Sequence, residues 1–181
     1  MIRKVLAVTI LFLFILSMSG FAQDKVYMYV GVSKCATCHK KAKDGEQLKI
    51  WEASAHSKAY KMLTSEEGLA KAKELGVKDP QKSEKCLTCH APEFNKEKLW
   101  DKKFSLEDGV QCESCHGPGS EYKSNKIMKD HDLAVANGLL LPTEKTCMTC
   151  HKDNNPAHDE KFNYKEAAKT IAHPVPDKKK K

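Results

Sequence analysis

A single, mostly α domain of short helices and loops with little β is the fold that this sequence predicts, and three observations predict it. The pentapeptide Cys-x-x-Cys-His occurs four times, as Cys35–His39, Cys86–His90, Cys112–His116 and Cys147–His151, and these copies use all eight cysteines. The copies are unevenly separated, by 47, 22 and 31 residues from each motif histidine to the next motif's first cysteine, so they are not an array of identical repeats. Between them the helical signals are short and closely punctuated by capping residues, glycine and proline.

The pentapeptide is the attachment sequence of c-type haem. Two thiols add to the two vinyl groups of one haem, and the adjacent histidine reaches the iron. Cys-x-x-Cys pairs also hold zinc, and an even cysteine count also suits a disulfide framework. Neither needs a histidine directly after the second cysteine in every copy. The sequence therefore predicts four covalently attached haem c groups. Cys35, Cys38, Cys86, Cys89, Cys112, Cys115, Cys147 and Cys150 are the attachment thiols, and His39, His90, His116 and His151 the proximal iron ligands. About 40 residues serve each motif, too few to wrap each haem in a core of its own. A small multihaem cytochrome c fold follows, with the chain wrapped around a packed four-haem core.

The N-terminus reads as a secretory signal. Arg3 and Lys4 form a basic start, Val5–Leu16 is apolar, and Ser17–Ala22 is small and weakly polar, with Gly20 and Ala22 placed for cleavage before Gln23. The 17 residues from Val5 to Phe21 are short for a membrane span, which needs roughly 20 apolar residues. The expected organisation is a signal peptide over 1–22 and one tetrahaem domain over 23–181, in the periplasm or another extracytoplasmic compartment. Membrane association is not expected after cleavage. The mature chain keeps 29 basic and 24 acidic residues. Haem propionates offset most of that excess, so the basic pI of 8.9 is no argument for nucleic acid. Lys178–Lys181 is a solvated tail, suited to steering an acidic redox partner.

Taken in order, Val26–Val30 is the one convincing strand candidate. Lys49–Leu63 carries Ile50, Trp51, Ala55, Ala59 and Leu63 near helical spacing, with Ser54 and His56 as interruptions. Thr64–Glu67 reads as a capping box and Gly76 as a stop, giving a helix over Ser65–Leu75. Gly117-Pro118-Gly119 ends the third motif. Ser120–Asn137 reads as one helix closed by Gly138, and Tyr164–Ala172 as a helix capped by Asn163 with Glu166 and closed before Pro174. Pro80–Lys85, Ala91–Phe94 and Lys152–Pro156 read as loops.

Four histidines remain outside the motifs: His56, His131, His158 and His173. One spare histidine per haem is what bis-histidine ligation requires, and such iron suits electron transfer. Methionine would raise the potential instead, and Met62, Met128 and Met148 are available. His56 follows Trp51 and small residues that admit a haem face, His131 ends a polar helix, and His173 follows an amphipathic one. These three are the candidate axial ligands, whereas His158 lies in a polar loop.

The Lys34-Cys35 motif with Trp51 and His56, the run Gly109-Val110-Gln111-Cys112-Glu113-Ser114-Cys115-His116-Gly117-Pro118-Gly119, Asp130-His131, and Phe162–His173 together resemble the tetrahaem cytochrome c-554 family of nitrogen-cycling bacteria. The resemblance implies that His131 completes the haem of Cys35 and Cys38, His56 that of Cys112 and Cys115, and His173 that of Cys147 and Cys150. It implies a five-coordinate haem on Cys86 and Cys89; His158, without a counterpart, is the remaining candidate ligand there. It also implies a multihaem, hydroxylamine-oxidising enzyme as electron donor and a cytochrome or the quinone pool as acceptor.

An electron carrier rather than an enzyme is the leading expectation. A membrane-anchored tetrahaem quinol dehydrogenase would need Met1–Ala22 retained. Reduction of a small nitrogen oxide at a five-coordinate second haem is chemically reasonable. No Cys-x-x-Cys-Lys motif is present, and Glu93, Asp101 and Glu107, near the second motif in sequence, read as surface carboxylates rather than catalytic groups.

Overall fold

The structure is a computed structural model that describes residues 25–152, 155 and 162–173. The leader over 1–22, His158, Pro174 and the lysine tail lie outside the described residues. Helices of four to nine residues, joined by 3-10 turns and loops, make up the described chain. Among these residues no helix is long and apolar enough to cross a membrane.

Two helices form where their local signals place them. Ser65 Oγ accepts from the Gly68 N–H and starts Glu66–Glu74. The residue at the third helical position is a glycine, so the reciprocal half of the expected capping box is not made. At the other end Gly76 takes φ +66, with its N–H donating to Lys73 O and the Val77 N–H donating to Ala72 O, a Schellman closure. Asn163 Oδ1 likewise accepts from the Glu166 N–H and starts Tyr164–Ile171. The expected interruption at Ser54 divides Lys49–Leu63 into Gln47–Ala53, a 3-10 turn at His56–Lys58, and Ala59–Met62.

Two expectations are corrected. Ser120–Asn137 is two short helices, Asn125–Met128 and His131–Ala136. Ser124 Oγ and Asp130 Oδ1 cap the Ile127 and Leu133 amides, and the second cap starts a separate helix. Val26–Val30 is not a strand; it makes a single parallel bridge between Tyr29 and Trp100. Tyr29 N–H donates to Leu99 O at 2.7 Å, and the Asp101 N–H donates to Tyr29 O at 2.8 Å. Pairing stops there because Trp100 follows a 3-10 turn over Glu97–Leu99. Trp100 and Phe104 stack at 4.9 Å, Phe104 meets Tyr29 edge-on at 6.0 Å, and Lys96 Nζ donates to the Tyr29 hydroxyl.

The apolar core made by the polypeptide is small. Leu63, Leu87 and Ala91 form its centre, with Tyr60, Cys86, Phe94 and Leu106 packed against it. It lies beside the second motif and links the Ala59–Met62 and Glu84–His90 helices.

Candidate haem-binding sites

Each motif begins on a helical turn: Val32–His39, Glu84–His90, Cys112–His116 and Glu144–Cys147. Residues three apart on a helix share a face. In the first three motifs the two thiols therefore point the same way, with the histidine one residue further round. The fourth is looser, because its helix ends at Cys147 and the chain reaches Cys150 through a turn.

Thiols from different motifs meet in two pairs. A hydrogen bond between Cys35 and Cys112 pushes the Cys35 thiol up and Cys112 down. Cys89 and Cys150 are related in the same way, with Cys89 raised and Cys150 lowered. The first motif is thus the neighbour of the third, and the second of the fourth.

The donor set fits haem iron. An iron-ligating histidine presents one unprotonated ring nitrogen and donates from the other. His90 Nδ1 donates to Ala59 O at 2.7 Å and His116 Nδ1 to Leu140 O at 3.0 Å. His39 Nδ1 meets Gln47 Oε1 at 3.1 Å, and the Gln47 amide is oriented by donating from Nε2 to Asp44 O. In each case Nδ1 carries the proton and Nε2 is left for the metal. His151 stacks on Phe162 at 4.3 Å. Burial pushes the His56 and His116 imidazoles below their ordinary value, which keeps them neutral as ligation requires.

Two spare histidines face motif histidines. The His56 ring lies 6.0 Å from the His151 ring, and the His173 ring 5.9 Å from the His116 ring. Two imidazoles on opposite sides of one metal, each with a metal–nitrogen distance of about 2 Å, place their ring centres about 6 Å apart. These contacts exchange the partners that the resemblance implies: His56 faces the fourth motif rather than the third, and His173 the third rather than the fourth. His173 is oriented by donation from Nδ1 to Ile171 O at 2.8 Å. His131 is exposed, with Nδ1 at 3.1 Å from Asp132 Oδ1, and no ring contact joins it to His39 among the described residues.

The third motif has the most elaborate protein surroundings. Glu113, 3% exposed, accepts at its carboxylate from Val30 N–H at 2.8 and 3.0 Å, Gly31 N–H at 2.7 Å and Gly119 N–H at 2.6 Å. Burial pushes its carboxyl up, while the three amides pull the other way and favour the ionised form. Glu113 thereby ties the start of the first motif helix to the loop after the third motif. A Cβ at Gly119 would sit 3.1 Å from Glu113 Oε1 and from Val30 Cγ2, so a side chain here would press on both. The Tyr122 hydroxyl donates to Gly117 O at 2.6 Å.

Glu93 is not the surface carboxylate expected. It is 2% exposed and accepts from the Ser114 hydroxyl at 3.1 Å, which in turn accepts from the Gln111 N–H. Nothing in the sequence around Glu93 signals this, since its partner lies 21 residues away. Asp101 and Glu107 are on the surface, as expected.

Residues 34–117 match the family described as cytochrome c554 and c-prime. Cytochrome c-554 of Nitrosomonas europaea is 31% identical over 140 residues, covering 68% of this chain and 57% of that protein. Multiheme cytochrome MtrA of Shewanella baltica is 30% identical over 89 residues, covering 44% of this chain and 26% of that protein. The chain therefore spans less than two thirds of the length of either relative. No solved structure gives a significant match.

Proposed function

Because the chain belongs to the cytochrome c-554 family, we propose that it is an extracytoplasmic tetrahaem cytochrome that passes electrons between redox proteins. Covalently bound haem c and electron transfer follow from the family. The count of four, the ligand set, the compartment and the partners are this reading's own. Haem supplies the one-electron iron couple. The chain binds it through the eight motif cysteines and orients His39, His90 and His116 through their Nδ1 hydrogen bonds.

The facing imidazoles support the reading: His56 lies opposite His151 and His173 opposite His116, with ring centres 6.0 and 5.9 Å apart, a separation that would admit one iron between each pair. Two histidines holding one haem iron would favour electron transfer over ligand chemistry. His131 completes the haem of Cys35 and Cys38, as the resemblance implies, and the haem of Cys86 and Cys89 keeps His90 alone. A multihaem oxidoreductase as donor and a cytochrome or the quinone pool as acceptor fit such a carrier. A signal over residues 1–22 delivers it.

Intact mass and electron paramagnetic resonance of the oxidised holoprotein test this together. The expected result is four haem masses above the processed chain, three low-spin haems and one high-spin haem. His56→Ala and His173→Ala each convert one further haem to high spin. Fewer than four haems, or no spin change in either variant, overturns the reading.

A further inference from the structure

The four residues His56–Ala59 touch two of the four motifs and the segment leading into a third. The His56 ring faces His151 in the fourth. The His56 carbonyl accepts from the Val110 N–H at 3.0 Å, two residues before Cys112 in the third. The Ala59 carbonyl accepts from Nδ1 of His90 in the second, at 2.7 Å. Gly109 braces this segment from the other side. Its φ is +69, and a Cβ there would lie 2.7 Å from His56 O and 3.3 Å from the Ala59 and Tyr60 nitrogens. The next residue is fixed as well, since Trp51 Nε1 donates to Val110 O at 2.8 Å.

We propose that His56–Ala59, braced by Gly109 and Val110, is a positioning unit that sets the iron ligands of two haems at once. It holds the His56 imidazole opposite His151, and it orients the His90 imidazole through the Ala59 carbonyl. The proposal rests on the haem reading above. A hydrogen bond behind a ligating imidazole fixes the ring and raises its basicity. Loosening it raises the potential of that haem, while moving His56 strips a sixth ligand from another. One small displacement of this segment therefore alters two haems together, although no residue in it touches both.

Gly109→Ala in the holoprotein is the test, because both φ and the added methyl push on His56 and Ala59. The expected result has two parts. One low-spin haem becomes high-spin by electron paramagnetic resonance, and the haem that is high-spin in the wild type titrates at a higher potential in spectroelectrochemistry. Trp51→Phe removes the donor to Val110 O while keeping an aromatic ring, so it gives the same two changes in weaker form and serves if Gly109→Ala does not fold. His56→Ala is the reference: it changes one spin state and leaves the potential of the His90 haem in place. If Gly109→Ala and Trp51→Phe alter a single haem or none, or if His56→Ala reproduces both changes, the positioning unit is overturned. A wild type with fewer than four haems, or a His56→Ala protein with unchanged spin states, overturns the underlying haem assignment and the proposal with it.

Discussion

The third and fourth motifs share the same five-residue pattern and have opposite surroundings. Around Cys112–His116 the protein is dense and polar inside, with Glu113, Gln111 and Glu93 all buried and Tyr122 closing the loop beyond. Around Glu144–Cys147 every residue from Leu140 to Cys150 is exposed or only half-buried. There the order comes from small local contacts, Thr146 Oγ accepting from the Thr143 N–H and Asn155 Nδ2 donating to Cys150 O. The motif fixes what is attached, and the surroundings fix how firmly. One site is built into the protein scaffold, while the other leans on the facing rings of His56 and Phe162.

Glu113→Ala strikes this contrast hardest. It leaves three buried amides without an acceptor, a loss of about 3 kcal/mol or more. In a chain of this size that is roughly 10 °C in the melting temperature of the holoprotein. A fall of only a degree or two would show that the haems, rather than this carboxylate, hold the third motif. A matched pair of variants sharpens the comparison. Tyr122→Phe removes a buried hydrogen bond and costs about 1.5 kcal/mol, whereas Asn155→Ala beside the fourth motif costs less than about 1 kcal/mol. Equal losses in chemical denaturation would remove the distinction between the two sites.

Stability should also depend on pH through the third motif. Burial raises the Glu93 carboxyl above its ordinary value of 4.5, while the Ser114 hydroxyl and Lys96 pull it down. The folded chain keeps that proton to higher pH than the unfolded chain. Its contribution is therefore full below the unfolded value and is lost as pH rises through the folded one. Glu113 and Asp108 are raised by burial in the same direction. Glu93→Gln accordingly reduces the fall in melting temperature between acidic and neutral pH without abolishing it. An unchanged slope would mean that Glu93 is solvated in the holoprotein. The smallest effect belongs to the fourth motif, where Thr146→Ala loses an exposed capping contact worth about 0.5 kcal/mol. A cost matching that of Tyr122→Phe would break the comparison from the other side.

What was legible in the sequence was local. Ser65, Gly76 and Asn163 mark helix ends because their chemistry acts within a turn of chain, and the motif thiols announce their own cofactor. Ser124 and Asp130 carry the same signal, but with no glycine or proline between Ser120 and Asn137 the stretch reads as continuous helix and hides them. Glu93 and Glu113 were not legible as buried groups. Their burial is decided by Ser114, Val30 and Gly31, which come from elsewhere in the chain. The placement of His56 beside His151 and of His173 beside His116 has the same origin, since only the path of the chain in space decides which motif histidine a spare histidine can face.

The contact between His116 and Leu140 has a consequence for how such a chain can diversify. The Leu140 N–H donates to the His116 carbonyl at 2.9 Å, and His116 Nδ1 donates back to the Leu140 carbonyl at 3.0 Å. The excursion from 117 to 139 is thus stitched shut at its base. The entropy of closing a loop grows only slowly with its length. A lineage can therefore lengthen, shorten or replace the two short helices of that excursion while the His116 imidazole stays where it is. The stretch is a graft point, free to acquire docking surface beside a fixed His116, and the histidine such grafting would displace is His131.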